Sequence, residues 1–379
     1  MSKPIIIALF PIQPTISNFS YLNENFTVIN YSLSTRDAFI KDIQTEPYSA
    51  ASAIFGSYPG FASIGGLKDK EIIDALPASL KIIGLSSAGF DGYTLQLLTD
   101  RGIKLCNVPV DIGVGMDVAD CALWHVLSGI RKFNNWDRVM HNTPNAEDQH
   151  TLKVRDSVRN ESVKDESAKE HGFAFGHMFH GNPITRVSKK KCAMFGYGLI
   201  GKLVVKRMLT IGLDVHVLVR DKQSYKDVAD GDGVTIFSSQ DQQDVLAATK
   251  DANVIIVCLP GGPQTQNIVN SKILQNVSDD SVIVNVGRGS CIDTEALKSA
   301  IETGKISHVG LDVFPSEPVV ERYWFDEHAL NSTSNPYFTS SLTPHLGSAT
   351  IDTFEFATEA NIRNIINAIE KGTYSNAVN

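Results

Sequence analysis

The chain has 379 residues, enough for two or three domains that each bury a core of their own. Hydrophobic residues make up 42% of it and charged residues 20%, the balance of an ordinary soluble globular protein. The formal net charge of −8 argues against nucleic acid or an anionic membrane surface as the main partner. An anionic ligand would therefore have to be met by local positive charge.

The cysteines indicate a reducing compartment. None of the five belongs to a C-x-x-C motif, and most lie within apolar runs. We interpret them as buried, reduced thiols of a cytoplasmic protein. No apolar run approaches the roughly 18 residues of a membrane helix. The short run at residues 4–10 is typical of a first strand rather than of a secretory signal.

The first 130 residues alternate short apolar runs with helical patterns. Strands are predicted at residues 5–9, 53–55, 82–85 and 104–107. Strands separated by helices favour a parallel sheet that is covered on both faces. Two glycine-bearing loops, at residues 56–60 and 86–91, follow strands and are therefore candidate ligand contacts, although the first fits a simple turn equally well.

A longer helix is predicted from residue 114 to 130. His125 lies among its apolar residues and is interpreted as a packed core histidine rather than a catalyst. Residues 141–170 then carry alternating charges and almost no large apolar side chain, which predicts a solvated insertion between domains. His177 and His180 have H-x-x-H spacing and His171 precedes them, but no carboxylate or thiolate pattern completes a metal site, so none is predicted.

A glycine-rich turn organises the second half of the chain. Residues 192–195 read as a short buried strand, and a helical pattern begins at Gly201. In the intervening G-x-G-x-x-G, Gly196 makes the tight turn, Gly198 lets the backbone approach a pyrophosphate, and Gly201 permits close packing of helix on strand. A second strand at residues 215–219 completes a βαβ unit, which predicts a dinucleotide site.

The pattern of short strands and helices continues to the end of the chain. Further strands are predicted at residues 234–237, 254–259, 282–286 and 308–312, and helices at residues 293–303 and 352–371. The last helix has an apolar stripe at helical spacing.

Several stretches, in this order, form one pattern that resembles the D-isomer-specific 2-hydroxyacid dehydrogenase family. They are residues 88–91, 117–120, 259–260, 285–289, 310–318 and 343–347. The resemblance implies an α/β fold of two doubly wound parallel-sheet domains. These are a Rossmann-type cofactor domain at residues 140–346 and a discontinuous flavodoxin-like substrate domain at residues 1–139 and 347–379. The family's acidic residue in the second stretch is usually glutamate, and here it is Asp120.

The resemblance implies Arg288, Glu317 and His345 as the catalytic set of a 2-oxo acid reductase. A guanidinium fork can bind the substrate carboxylate and polarise the neighbouring ketone. A histidine titrates in the right range to give the carbonyl oxygen its proton. A carboxylate bonded to that histidine favours its protonated form, which is the role implied for Glu317.

The resemblance also implies the binding residues. Backbone N–H groups near Ala88 and Gly89, together with Arg288, would bind the substrate carboxylate in a cleft that closes between the domains. Asp312 would contact the nicotinamide end of the cofactor, and Leu199 and Ile200 its phosphates. The full cofactor set comprises Gly196, Tyr197, Gly198, Leu199, Ile200, Gly201, Val219, Arg220, Asp221, Leu259, Pro260, Thr265, Val286, Gly287, Arg288, Asp312, His345 and Gly347. A homodimer is implied as well.

The end of the second strand of the glycine-turn unit bears on the choice between NAD and NADP. NAD enzymes usually place an acid there, which bonds the ribose 2′-OH and repels a 2′-phosphate. Here Val219 is followed by Arg220, and Lys222 adds positive charge, which favours NADP(H). Asp221 favours NAD(H) instead if the register shifts slightly, so NAD(H) stays possible.

The expected function is reduction of glyoxylate or hydroxypyruvate, on the strength of the resemblance and the cofactor prediction. Two alternatives stay open. One is a dinucleotide-binding regulator of the corepressor type, with incidental turnover. The other is a dehydrogenase for bulkier 2-oxo acids, whose side chain Tyr58 would line.

Overall fold

The computed structural model describes residues 2–108, 112–142, 155, 176–179, 182–225, 233–324 and 338–379. The chain divides into two compact units, Met1–Gly113 with Ala349–Asn379, and Val114–Ser348. Most of the predicted charged insertion, together with His171 and His180, lies outside the described residues. None of the helices in the described part of the chain combines the length and the apolar character that a membrane span requires.

The first unit is built on a five-stranded parallel sheet with the order β2-β1-β3-β4-β5. Its strands are β1 (Ile5–Ala8), β2 (Thr27–Asn30), β3 (Ala51–Ser57), β4 (Ile82–Leu85) and β5 (Lys104–Cys106). Its helices are α1 (Phe19–Asn25), α2 (Arg36–Ile43), α3 (Lys70–Ala75), α4 (Leu95–Asp100) and the C-terminal α11 (Ile351–Lys371). This is the flavodoxin-like order, with its switch point between β1 and β3.

The C-terminal helix completes the first unit because its apolar stripe covers one face of that sheet. Ile362 and Ile365 are buried in one core cluster with Phe55 and Ile82. Asn361 lies so close to Gly84 that no Cβ would fit there. The sheet could not bury this face without the last thirty or so residues, so the unit is discontinuous in sequence.

The second unit carries a seven-stranded parallel sheet with the order β10-β9-β8-β11-β12-β13-β14. Its strands are β8 (Lys191–Phe195), β9 (Asp214–Val219), β10 (Thr235–Ser238), β11 (Val254–Val257), β12 (Ser281–Asn285), β13 (Ile306–Leu311) and β14 (Thr339–Leu342). A separate antiparallel pair comprises β6 (Met178–Phe179) and β7 (Asn182–Pro183). Numbered from β8, the sheet has the doubly wound order 3-2-1-4-5-6 with one strand added, so its switch point lies between β8 and β11.

Six helices of the described residues belong wholly or mainly to this unit. They are α5 (Ile112–Arg131), α6 (Phe133–Asn142), α7 (Leu199–Thr210), α8 (Gln242–Thr249), α9 (Ser271–Asn276) and α10 (Thr294–Glu302). Buried strands that are apolar along their whole length, such as β11 and β12, have helices on both faces and so need no polar side.

The long helix α5 groups with the second sheet, whereas the sequence prediction placed residues 114–139 in the first domain. Its apolar side, including Ala122 and Val126, shares a core cluster with Met208 and Val282. Gly129 also allows the helix to approach the sheet, because a Cβ there would lie 2.7 Å from Val282 Cγ1. Close packing on β12 therefore moves the boundary of the unit to residue 113.

Most predicted strands and helices are present, with boundaries shifted by one or two residues. The helix after the glycine turn begins at Leu199 rather than Gly201, because the turn closes within residues 196–198. The two-residue strands β6 and β7 were not predicted, and two strands of the large sheets, β2 and β14, were missed as well. Both are four residues long and contain polar residues, so neither shows an uninterrupted apolar run. His125 is fully buried, as its apolar neighbours predicted.

Candidate active site

The glycine turn joins β8 to α7 at the switch point of the second sheet. Gly196 has a φ of +102°, and a Cβ there would lie 2.5 Å from the Cys258 carbonyl oxygen. A Cβ on Gly201 would lie 2.5 Å from the Gly196 carbonyl oxygen. Both glycines are thus required by the close approach of backbone, as the motif predicted.

Gly198 differs from the other two because a Cβ there would meet nothing within 4 Å. It is exposed and forms the N-cap of α7, to which it brings no side-chain acceptor. The positive end of the helix dipole therefore begins at an exposed residue, which suits a phosphate. Tyr197 is buried against Tyr225, with ring centroids 5.7 Å apart, so only its backbone suits a cofactor.

The strand that pairs beside the turn ends in the buried Val219, and exposed polar residues follow it. Arg220 donates through Nη1 to the neutral Oε1 of Gln264 at 3.2 Å. Asp221 accepts from Ser224 Oγ and from Gln223 N, so both carboxylate oxygens serve the local turn. The hydrogen bond from Ser224, with that from Gln223, lowers the pKa of Asp221. Lys222 is paired with Asp244 at 3.1 Å.

Two further loops adjoin the switch point. A Cβ on Gly287 would lie 2.6 Å from the Leu259 carbonyl oxygen, so the loops after β11 and β12 touch through backbone. Thr265 donates to the Pro260 carbonyl at 2.7 Å, which holds the first of these loops in shape. Val286 is buried beside them. The predicted cofactor residues of both loops therefore lie together.

Three adjacent strands place Arg288, Asp312 and His345 at one edge of the sheet. Asn285, Leu311 and Leu342 are the last residues of β12, β13 and β14, and they lie in register. Arg288 follows its strand by three residues, and so does His345, while Asp312 comes directly after Leu311. Since the strands are parallel, all three residues emerge at the carboxyl edge of the sheet, where α/β folds bind ligands.

Arg288 is held through its backbone. Asn285 donates to the Arg288 carbonyl at 2.9 Å and accepts from Gly287 N at 3.0 Å. The Arg288 side chain is half-buried and donates to the Gly287 carbonyl at 2.8 Å. Gly289 has no room for a Cβ because the backbone of Phe314 lies against it. The Arg288 loop is thereby packed on the segment that leads to Glu317.

Glu317 and His345 form a hydrogen-bonded pair, with 2.8 Å between Oε2 and Nδ1. The other carboxylate oxygen accepts from Phe314 N at 2.8 Å. The Glu317 hydrogen bond raises the pKa of His345 against the effect of partial burial. Burial alone would raise the pKa of Glu317, but the hydrogen bonds from His345 and Phe314 together lower it. The pair therefore favours an imidazolium bonded to a carboxylate.

The charge of Arg288 acts on both members of this pair, lowering the pKa of His345 and of Glu317. The three predicted catalytic residues are therefore close enough to interact. Because Glu317 occupies Nδ1, any proton exchange between His345 and a ligand would use Nε2.

Asp312 is buried and accepts hydrogen bonds from the segment that contains His345. Thr343 Oγ1 and Leu346 N donate to its Oδ1, both at 2.7 Å, and Gly347 N donates to its Oδ2 at 2.9 Å. The His345 N–H donates to the Asp312 carbonyl at 2.8 Å. His345 itself has a φ of +58°, a strained conformation for a residue with a side chain. Asp312 thus holds the loop at residues 343–347 in shape.

The predicted substrate contacts Ala88 and Gly89 belong to the first unit, in the loop after β4. Asn107 donates to the Ala88 carbonyl at 2.7 Å, and Ser87 Oγ donates to the Gly89 carbonyl at 2.8 Å. Both carbonyls are thus engaged within the unit.

Across the described parts of the chain, no group of three or more His, Cys, Asp or Glu residues could hold a metal ion.

Sequence reasoning assigned no role to Asn285 or Thr343. Asn285 could have been found from its position, because it is an amide at the end of a buried, largely apolar strand. A buried amide needs hydrogen-bond partners. Thr343 gave no comparable signal, since its bond to Asp312 joins segments that follow two separate strands.

The fold and these residues define an oxidoreductase domain of the dinucleotide-binding kind. Residues 153–347 match the model of the "D-isomer specific 2-hydroxyacid dehydrogenase, NAD binding domain". A Saccharomyces cerevisiae protein whose name provisionally assigns it to the 2-hydroxyacid dehydrogenases is 34% identical over 93% of this chain and 89% of its own. The chain therefore belongs to the D-isomer-specific 2-hydroxyacid dehydrogenase family, and a nicotinamide dinucleotide is its cofactor.

Two other relatives are named for their substrates. The 4-methyl-2-oxopentanoate reductase A of Aspergillus oryzae is 26% identical over 93% of this chain and 90% of its own. A crystal structure of a glyoxylate reductase from Paecilomyces thermophila superposes with a TM-score of 0.73 and 25% identity, covering 100% of this chain and 99% of that one.

The Glu317→Gln substitution is expected to lower the pKa of His345, because it removes the charge that favours the imidazolium. An NMR titration of the His345 ring would measure this shift. Glu321→Gln is the matched control, since Glu321 pairs with Lys298 at 2.8 Å. An unchanged His345 pKa in Glu317→Gln would contradict the pairing.

Proposed function

We propose that the protein reduces a small 2-oxo acid, glyoxylate or hydroxypyruvate, to the D-2-hydroxy acid with NADPH as the reductant. The observation that carries the proposal is the Glu317–His345 pair at the same sheet edge as Arg288 and the glycine turn. The open space at Gly198, and the loops at Leu259 and Gly287 that touch through their backbones, fit a dinucleotide. When bound, the nicotinamide supplies the hydride that reaches the carbonyl carbon.

His345 supplies the matching proton to the carbonyl oxygen, through Nε2. A raised pKa keeps more of the ring protonated near neutral pH, which suits a proton donor in the direction of reduction. In the reverse direction the neutral ring accepts the proton from the hydroxyl group. Glu317 stabilises the imidazolium and fixes the ring, as carboxylate partners of catalytic histidines do.

Arg288 binds the substrate carboxylate and polarises the carbonyl group. Its guanidinium carries the local positive charge that an acidic protein needs in order to hold an anion. We include the backbone N–H groups of Ala88 and Gly89 as further donors to the same carboxylate, and Asp312 as a contact of the nicotinamide end. These roles come from the family pattern.

The names of two relatives contain substrates of different size. Glyoxylate is the substrate in the name of the Paecilomyces enzyme, whereas 4-methyl-2-oxopentanoate in the name of the Aspergillus enzyme has a branched side chain. Tyr58, on the loop after β3, is 43% exposed, so its ring is accessible to a ligand. We favour the small acids and treat the branched acid as the second candidate.

The first assay follows loss of NADPH absorbance with glyoxylate, hydroxypyruvate, pyruvate and 4-methyl-2-oxopentanoate. Arg288→Ala is expected to lower kcat/KM by about 10²- to 10³-fold, because a preorganised donor to the reacting group is lost. The dissociation constant for NADPH should change little. Arg288→Lys keeps the charge without the fork and should recover only part of the loss, while the surface variant Arg36→Ala serves as a control. Binding of NADPH without turnover of any substrate would favour the regulator instead.

We propose NADPH over NADH because Arg220 is exposed and donates to a neutral amide, while the Asp221 carboxylate is already engaged by its own turn. Arg220→Ala is expected to raise KM for NADPH about tenfold or more and to leave KM for NADH nearly unchanged, since only the phosphate contact is lost. Asp221→Asn is the converse variant. If Asp221→Asn raises KM for NADH while Arg220→Ala leaves KM for NADPH unchanged, the enzyme prefers NAD(H).

We propose that the enzyme acts as a homodimer in the cytoplasm. The five cysteines are free, which supports the cytoplasm, because disulfides are rare there. Large apolar side chains on α5 and α6, Trp124, Phe133 and Met140, are 42–52% exposed and support an interface there. Light scattering should give twice the chain mass of 41.4 kDa. Trp124→Glu should shift the protein toward monomer and Phe10→Glu should not. A wild-type monomer at micromolar concentration would refute this interface.

A further inference from the structure

Two histidines of the second unit are fully buried and have no part in the catalytic set. His125 lies on α5 and His308 on β13, and neither side chain is accessible to solvent. A buried imidazole brings two ring nitrogens into the core, and both need hydrogen-bond partners there. Their partners link the two rings to each other and to Asp312.

Ser341 lies between the two rings. Its Oγ is 2.7 Å from His125 Nδ1 and 3.0 Å from His308 Nε2. The outer nitrogens contact threonines, because His308 Nδ1 is 2.8 Å from Thr339 Oγ1 and His125 Nε2 is 3.3 Å from Thr343 Oγ1.

Each end of this arrangement reaches a charged group. Lys132 Nζ, which is buried, donates to Thr339 Oγ1 at 2.8 Å. At the other end, Thr343 Oγ1 donates to Asp312 Oδ1 at 2.7 Å. We call this continuous set the buried chain, and its members in order are Lys132, Thr339, His308, Ser341, His125, Thr343 and Asp312.

The direction of the hydrogen bonds follows from counting hydrogens. Each hydroxyl has one hydrogen, an ammonium group only donates, and a carboxylate only accepts. Thr343 gives its hydrogen to Asp312, so its oxygen must accept from His125 Nε2. The His125 Nδ1 atom then carries a lone pair, and Ser341 must donate to it.

The hydrogen bonds between Ser341 and Lys132 have the same direction. Because Ser341 has used its hydrogen, its oxygen accepts from His308 Nε2, which leaves a lone pair on Nδ1. Thr339 donates to that lone pair in preference to the Ser307 carbonyl, which is farther away at 3.4 Å. Every bond then points from the cation toward the carboxylate. With the opposite tautomers, the contact between His125 and Thr343 would contain no hydrogen.

Both rings must be neutral for this pattern, because an imidazolium would donate from both nitrogens. Burial lowers the pKa of His125 to about 4. Burial, with the nearby Lys132 and His125, takes the pKa of His308 well below its ordinary value. Burial also lowers the pKa of Lys132 to about 8, while Asp280 acts to raise it.

The backbone around the rings leaves space for them. A Cβ on Gly310 would lie 2.6 Å from His125 Cβ, and one on Gly129 would lie 2.7 Å from His308 Cδ2. Glycines on β13 and α5 therefore allow helix and sheet to approach with both imidazoles between them. Larger residues at either position would displace a ring.

We propose that the buried chain fixes the Thr343 hydroxyl and the Asp312 carboxylate, and thereby the loop at residues 343–347, so that His125, His308 and Ser341 are positioning residues for His345. The step from the chain to the loop is direct, because Asp312 accepts from Leu346 N and Gly347 N. This inference rests on the proposed function, in which His345 transfers the proton. A misplacement of about 1 Å at such a group can cost 10²-fold in rate.

The first test measures the tautomers and needs no activity. Full-length protein labelled with 15N-histidine would be examined by NMR between pH 6 and 8, with His125→Gln and His308→Gln used to assign the two rings. We expect two neutral rings, each protonated at Nε2, that do not titrate in this range. A ring protonated at Nδ1, or one that titrates here, would overturn the proposed direction.

The second test measures positioning through kinetics. Ser341→Ala removes the link between the rings and is expected to lower kcat about 10- to 100-fold. The NADPH dissociation constant should rise much less than kcat falls, because Asp312 is one of many proposed cofactor contacts. Ser341→Thr restores a hydroxyl and should recover most of kcat. Ser340→Ala is the matched control, because Ser340 is the preceding residue of β14 and lies outside the chain.

The possible outcomes separate the two proposals. Wild-type kcat in Ser341→Ala, or no recovery in Ser341→Thr, would refute the positioning role. Equal losses in kcat and in NADPH binding would show a general structural defect and would refute it too. If the wild-type protein reduces no 2-oxo acid, the proposed function fails, and the tautomer measurement still decides whether the chain has the stated direction.

Discussion

The site depends on the parallel register of three neighbouring strands, β12, β13 and β14. Their last residues, Asn285, Leu311 and Leu342, lie side by side. The chain leaves each strand at the same height, so residues far apart in sequence meet at one edge. A slip of one residue in any of these pairings would turn its side chains to the opposite face of the sheet. The position of Arg288 relative to His345 is therefore a consequence of sheet geometry.

Glycine makes that geometry possible at several points. Gly196, Gly287 and Gly289 each allow backbone to lie where a Cβ would collide with another loop. Gly129 and Gly310 do the same for the helix that covers the sheet. The loops at the sheet edge are consequently packed against one another through their backbones. Such packing keeps the site formed in advance, which lowers the cost of binding a ligand.

Two polar systems of different character meet at the loop that contains His345. The Glu317–His345 pair is partly exposed, and its hydrogen bond raises the pKa of the histidine. The buried chain is withdrawn from solvent, and burial lowers the pKa of His125 and His308. Asp312 joins them, since its carbonyl accepts from His345 N and its carboxylate accepts from Thr343. One histidine is thus prepared to carry charge, while the other two are kept neutral.

The sequence by itself determined the α/β class, most of the strands and the glycine turn, because turn chemistry and hydrophobic period are local properties. The candidate catalytic residues were implied by the resemblance of its motifs, in their order, to those of the family. It did not reveal β2 or β14, whose polar residues interrupt the apolar pattern. Only the tertiary structure placed α5 on the second sheet and engaged both Asp221 oxygens in a local turn. It alone also joined His125 to Ser341, which are 216 residues apart. Such partnerships arise from packing between distant segments, and nothing in the local pattern of either segment encodes them.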